Sequence, residues 1–398
     1  MTSATVVDHA PGVDHPPFSL MQGGVLHRAG QSLGVPAGGR GLVYLGLGLA
    51  VLTWLPLLVF AIAAGTIADG RTVPFVAGVG AHIRLLVGIP LFFLAEAVFD
   101  LRVGQVINAL VESHLVPERR HAEFDATLAK ATRWRDAGVI EIAALAVTIL
   151  FAVKGFRSEL PATISTWRND LGGALNLAGW WYVSVSVPIY QFLMMRWAAH
   201  LAIWTWLLRR IARLDLRLLP THPDLAGGLG ILAVAHVALG PLNFALSAIL
   251  VADYAEHLHY AGADARDLLL RVLIAVIAST FVLVAPLLVF IPRLLAAKQR
   301  GLLEYGELAT TYTRAFDAKW LRGANPSNDP LLGTADLQSL ADLGNSYDVI
   351  RQMKVVPISR SQVLFLAVCA ALPALPLVNY LMPFDELMIR GVQTLLHM

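Results

Sequence analysis

The sequence predicts an all-α, polytopic helical membrane bundle of six or seven transmembrane helices, with further helices on its cytoplasmic side. Three observations carry that expectation. The run from Gly41 to Gly65 holds no acidic, basic or histidine side chain. A helix rises about 1.5 Å per residue, so roughly twenty apolar residues cross a ~30 Å hydrocarbon core. Comparable apolar runs recur along the chain, and apolar residues make up 57% of its 398 positions against 15% charged. A soluble domain carries about a quarter charged.

Residues 1–40 are rich in Gly, Pro and His and read as a disordered cytoplasmic tail, because so little apolar surface cannot offset ordering entropy. Seven spans follow, at 41–65, 74–99, 137–154, 178–207, 229–252, 268–291 and 361–382. The first is too long and too far from the N-terminus for a cleaved signal peptide, so it is expected to stay. The third is short, the fourth is long enough to project beyond the bilayer, and the seventh holds Pro373 and Pro376. That last segment reads as a full crossing or as a bent, re-entrant one. The organisation is thus a tail over 1–40, a bundle over 41–291, a cytoplasmic helical region over 292–360, and a last membrane segment with an amphipathic tail over 361–398.

The polar stretches also carry a helical period. Within the loop 100–136, Val103, Val106, Ile107 and Leu110 recur at three and four until Pro117 breaks the run; a second helix follows to Arg135. Residues 293–322 continue the sixth span as a long helix. A loop over 323–333 then leads to a helix from Ala335 to Met353, capped by Thr334.

Basic short loops resist translocation and mark the cytoplasmic side. One set of loops, with the N-terminal tail, holds twenty-one Lys and Arg; the alternating set holds five. The N-terminus and both large polar regions are therefore expected in the cytoplasm. A net charge of +2 gives no case for nucleic acid, and the single Cys369 excludes disulfides. No motif asks for a cofactor or metal, and none identifies an enzyme.

Charge left inside a membrane is costly, about 2.5–3.5 kcal/mol on insertion scales, and persists where it pairs, meets water or works. Glu96, Glu141, Arg196, His200 and His236 convert to similar depth in the cytoplasmic half of four spans. Arg196 is expected to pair with Glu141 or Glu96. Such a cluster is either an ion-pair clasp that fixes packing or a hydrated vestibule. Arg84 falls near mid-span with no acid at its level and with Gly80 and Gly88 flanking it. Backbone carbonyls, water or an anion would then neutralise it, with Asn243 at similar depth. Pro56, Pro90, Pro188, Pro241 and Pro286 lie within five of the first six spans and each should bend its helix.

The sharpest local signature is Thr221-His222-Pro223-Asp224-Leu225-Ala226-Gly227-Gly228, between a basic segment and the fifth span. It reads as a capped helix start. With nearby arginines, His222, Asp224, Gly227 and Gly228 would alternatively present N–H groups to a phosphate or lipid headgroup.

That segment belongs to a wider likeness. Gly179-Trp180-Trp181-Tyr182, Pro188-Ile189-Tyr190-Gln191-Phe192, Arg213-Leu214-Asp215-Leu216 and the stretch 332–346 complete it. Together they resemble a group of uncharacterised bacterial polytopic inner-membrane proteins. The resemblance implies the bacterial inner membrane and transfers no activity. The functional expectation is a channel or transporter-like protein for a small ion or solute, using Arg84, Glu96, Glu141, Arg196, His200, His236 and Asn243. The alternatives are a scaffold or assembly factor that binds a cytoplasmic protein through its polar helices, and a lipid-acting enzyme using His222 and Asp224. The lipid bilayer and a second copy in a homo-oligomer are the expected partners.

Overall fold

The computed structural model describes residues 18–32, 34, 36, 38–68, 73–138, 141–143, 145–148, 166–169, 174–260, 264–323 and 335–377. It is 81% helical, and its only strand-like features among the described residues are two isolated bridges. Nine helices organise these residues: α1 (Gly24–Ser32), α2 (Gly39–Ala63), α3 (Val79–Glu112), α4 (His121–Asp136), α5 (177–213), α6 (Leu229–Tyr260), α7 (Arg266–Leu321), α8 (Ala335–Gln352) and α9 (Arg360–Leu377).

Five of them, α2, α3, α6, α7 and α9, are long and apolar enough to cross a membrane. The protein is an integral membrane protein. Helix α5 covers the fourth expected span and is long enough, but it is less apolar because it carries Arg196 and His200 into the interior. Of the third expected span, 141–143 and 145–148 are helical; the positions after 148 lie outside the described residues, as do 378–382 of the seventh.

The order of burial shows how the bundle is layered. In its most apolar window α6 is 61% buried and α3 50%, against 28% for α2 and α7 and 22% for α9. The central helices are surrounded by helices whose outward faces remain apolar: Leu47, Val51 and Leu55 of α2, Leu273, Ile277 and Phe281 of α7, Leu364 and Val368 of α9. A face of that kind is stable only against lipid tails. Since lipid is as apolar as leucine, close packing and internal polar bonds must hold the helices together. Gly46 illustrates the packing, for a Cβ there would lie 2.9 Å from the Phe93 ring.

Four of the five span prolines mark a departure from α-geometry. A proline lacks the N–H that would close its turn, so the preceding carbonyls must find other geometry. Helix α3 answers with a π-turn over Ile83–Gly88 before Pro90; α5 answers with one over Tyr182–Ser186 before Pro188. Helix α6 loosens at Ala238 and Leu239 before Pro241, and α7 tightens to a 3-10 turn around Pro286. Only Pro56 sits in an uninterrupted helix.

The expectation of a disordered tail through residue 40 is corrected for its described part. Leu20 and Met21 are fully buried, α1 follows them, and α2 begins at Gly39. The apolar surface there is small, but Asp100 supplies the backbone bonding that composition does not reveal. Residues 1–17 lie outside the described residues. Beyond the bundle, α7 continues without a break to Leu321 and packs against α8. The end of the bundle that carries α4, α8 and residues 214–228 is called the basic end below, and the opposite one the far end.

Candidate functional site

At the basic end, Arg196 and Glu96 form a two-pronged pair, with Arg196 Nη2 2.7 Å from Glu96 Oε1 and Nη1 on Oε2. Both side chains are essentially sealed from solvent. Glu141 Oε1 stands 3.6 Å from Arg196 Nε, and Arg196 Nη2 also donates to the carbonyl of Met21 at 3.1 Å. His200, one turn along α5, is buried, and its Nδ1 has no hydrogen-bond partner. The expected grouping of Arg196, Glu96, Glu141 and His200 is therefore present. Planar guanidinium and carboxylate groups match each other in two parallel bonds, which is how a buried pair offsets its desolvation.

His236 and Asn243 make their bonds elsewhere. His236 accepts from Trp204 Nε1 at Nε2 (3.1 Å) and its Nδ1–H donates to the Leu283 carbonyl (2.7 Å), so this neutral ring bolts α5, α6 and α7 together. Asn243 Nδ2 donates to the Leu366 carbonyl (2.9 Å) and to Thr280 Oγ1 (3.3 Å), which joins α6 to α9 and α7. Both act as internal staples.

Arg84 requires the main correction. It is not stranded without an acid: its Nη2 lies 2.7 Å from Asp253 Oδ2. Its Nη1 donates to the Tyr182 hydroxyl, and its guanidinium carbon stands 5.5 Å from the centre of the Tyr190 ring. Helix α3 starts only at Val79, so Arg84 lies about five residues, or ~7.5 Å, from its far end rather than at mid-span. Helix α6 meanwhile runs past 252 to Tyr260 and brings Asp253 and Glu256 to the same level. Glu256 Oε1 accepts from the Gly80 N–H at 2.6 Å, and a Cβ on Gly80 would lie 2.5 Å from Asp253 Oδ1. Gly80 is there to let two carboxylates reach the helix start. Arg84 and Tyr182 each sit on a π-turn, a helical irregularity frequent at functional sites.

Beside this cluster lies a cavity of ≈530 Å³, walled by Ile83 and Val87 of α3, Ala248 and Ala252 of α6, and Pro373 and Leu377 of α9. Its walls are almost wholly apolar, and Glu256, His259 and Tyr260 provide the polar groups at its far end. It is partly open rather than sealed. The small side chains on α6 and the prolines on α9 are what leave the space unfilled.

The 221–228 corner holds the capped start that the sequence suggests, with Asp224 as the capping side chain. The anion held by its N–H groups is the Asp224 carboxylate itself, which accepts from Ala226 N (2.7 Å), Gly230 N (2.8 Å) and Gly228 N (3.2 Å), with His222 Nδ1 at 2.8 Å. Burial opposes ionisation of Asp224, but these donors outweigh it and hold its carboxyl below the usual range. Gly227 and Gly228 take left-handed φ values of 64° and 96°; a Cβ on Gly228 would press Leu115 at 2.8 Å. The corner is a structural knot that ties residues 113–117 and 353–356 to the bundle, through Arg217 N to Leu115 O (2.9 Å) and Lys354 N to Leu225 O (2.7 Å). The Asp224 carboxylate is thus committed to the backbone of its own corner.

Sequence reasoning missed Asp253, Glu256, Tyr182 and Asp100. Asp253 and Glu256 lie beyond the apolar run that ends at 252, on a helix that continues to Tyr260, and Asp100 lies just past the apolar run that ends at 99. Among the described residues, no three His, Cys, Asp or Glu side chains are grouped to hold a metal. No family model, curated protein or solved structure matches the chain.

Proposed function

We propose that this integral membrane protein handles an amphiphilic small molecule in transporter-like fashion, holding the apolar body in the ≈530 Å³ cavity and the polar head near Glu256 and Tyr260. The single observation that carries this reading is the cavity itself. Its volume lies within the ~300–1,000 Å³ of small-molecule sites, and its apolar walls with a few polar groups at one end match their usual lining. Passage of a bare ion past Arg84 has lost its motive, because Asp253 neutralises that charge. A solute with an apolar body is what the remaining space favours. The test is binding of a pyrene-labelled long-chain amine, whose ammonium head suits the Glu256 carboxylate, to the purified protein in nanodiscs. Wild type should bind saturably, and Ala252→Trp, which fills the cavity, should bind at least tenfold more weakly. Equal binding by the two would overturn the reading; liposome flux of the same probe then separates transport from storage.

The setting proposed for this activity is the bacterial inner membrane, with the basic end and the N-terminus in the cytoplasm. The loop asymmetry of twenty-one basic residues against five and the stated resemblance support it. Reporter fusions after residues 136 and 263 should report opposite sides.

One observation favours a second reading, a scaffold. Beyond the apolar part of α7, the α7–α8 pair leaves Leu303, Leu308 and Leu337 more than half exposed where the helices have left the bundle. Such leucines suit docking of a cytoplasmic protein or a second copy of this chain. Loss of a cross-linked species on Leu303→Glu with Leu308→Glu would support it; an unchanged pattern would not.

A further inference from the structure

Residues 18–24 are bound to the basic end in the way a peptide is bound by a receptor. Their backbone, more than their side chains, is read. The Asp100 carboxylate accepts from Leu20 N (2.7 Å) and Met21 N (2.9 Å), and also from Ser19 Oγ (2.8 Å) and Gln22 Nε2 (3.0 Å). Two arginines take the carbonyls, Arg135 that of Ser19 and Arg196 that of Met21. Gly104 clears the path, since a Cβ there would stand 3.1 Å from the Phe18 carbonyl oxygen. On the other side Gly24, at φ +77°, presses against Glu141, where a Cβ would lie 2.6 Å from Oε1. Leu20 and Met21 are the anchors that fill the seat.

This segment lies directly on the most deeply buried charges described. Met21 supplies a ligand to Arg196, Gly24 covers Glu141, and His200, one turn from Arg196 on α5, is buried with its Nδ1 unbonded among the described residues. It leads through Gly23 and Gly24 into α1, a nine-residue helix with Gly24 and Gly30 buried and Arg28, Ala29, Gln31 and Ser32 exposed. Segments held by a few polar bonds and two anchors open at lower free energy than a packed helix such as α6.

We propose that Asp100, Gly104, Arg135 and Arg196 form a seat for an extended peptide, and that residues 18–24 are a detachable plug in that seat, closing the Arg196–Glu96–Glu141 cluster against water. The occupant is the chain's own N-terminal segment. The seat recognises backbone N–H and carbonyl groups in order, followed by a Gly-Gly exit too tight for any side chain. When the plug leaves, Asp100 and Arg196 each lose backbone ligands and the cluster becomes reachable by solvent.

The experiment uses the full chain in nanodiscs, with two readouts. Hydrogen exchange follows residues 18–24 and α6. Thiol labelling follows a His200→Cys probe in a Cys369→Ser background with a water-soluble reagent. Gly104→Leu, which wedges Phe18 away, should raise exchange over 18–24 at least tenfold, leave α6 unchanged and speed labelling at least tenfold. Asp100→Ala, which removes the main acceptor, should move both readouts in the same direction, and it stands in should Gly104→Leu fail to fold. Free exchange of the segment with labelling unchanged would overturn the plug. Exchange of 18–24 only in concert with α6 would overturn its detachability.

Discussion

Arg84 and Arg196 pose the same physical problem at opposite ends of one bundle and are handled differently. Arg196 is sealed, doubly bonded to Glu96, approached by Glu141 and capped by a backbone carbonyl. Among the described residues, Arg84 meets the Asp253 carboxylate, which is itself partly exposed, the hydroxyl of Tyr182 and the face of Tyr190. The first arrangement is built of rigid, mutually dependent charges. The second is built on two π-turns, of which the one on α3 borders an open apolar cavity. The difference separates structural charge from charge placed next to space. A buried pair that satisfies itself fixes helices, whereas a looser one next to a cavity leaves room for a guest.

The comparison is broken most forcefully at Arg196. Glu96→Ala should cost about 3–5 kcal/mol in a reversible unfolding assay, because the buried guanidinium loses its two-pronged partner and keeps Glu141 at 3.6 Å and the Met21 carbonyl. Replacing both partners, as in Glu96→Met with Arg196→Met, should cost much less than the sum of the singles. If Glu96→Ala proved neutral, the basic-end cluster would be hydrated and not a clasp.

At the far end, Asp253→Asn should cost about 1–3 kcal/mol, since Tyr182 and Tyr190 still engage Arg84. Its larger effect should be on amphiphile binding. An equal or greater loss of stability than at Glu96 would reverse the assignment of roles.

A third test sits outside the membrane part, at Asp224. Its folded-state pKa is lowered, so on acidification the unfolded chain takes the proton first. The stabilisation is present above the ordinary value of 3.8 and is lost as pH falls below it. Wild type should lose stability as pH falls below about 4 more steeply than Asp224→Asn; parallel curves would mean the corner does not depend on this charge. The smallest effect belongs to the exposed Arg119–Asp215 pair, where Asp215→Asn should change stability by less than ~1 kcal/mol and less still at high salt.

Legibility in the sequence followed how local each signal was. The partners of Arg196 were readable because Glu96 and Glu141 lie inside apolar runs, where depth converts directly into proximity. Asp253 was not, because it stands where apolar character fades while the helix continues for two more turns. Hydropathy reports where a helix leaves oil and says nothing of where it ends. The N-terminal segment was missed for a related reason. Leu20 and Met21 are too few to form a pattern, and the Asp100 carboxylate that orders them lies about eighty residues away.

By itself the sequence determined that this chain is a helical membrane protein, roughly where its helices run, and that one set of loops is basic, since hydrophobic length, helical period and charge asymmetry are properties of contiguous residues. Tertiary structure alone decided which charge meets which, that Asp224 occupies its own nest, that His236 and Asn243 are staples, and that a cavity opens between α3, α6 and α9. Those outcomes depend on helix rotation and on where prolines shift the register by a fraction of a turn. Such quantities are set by packing between segments distant in the chain, and no single stretch of sequence encodes them.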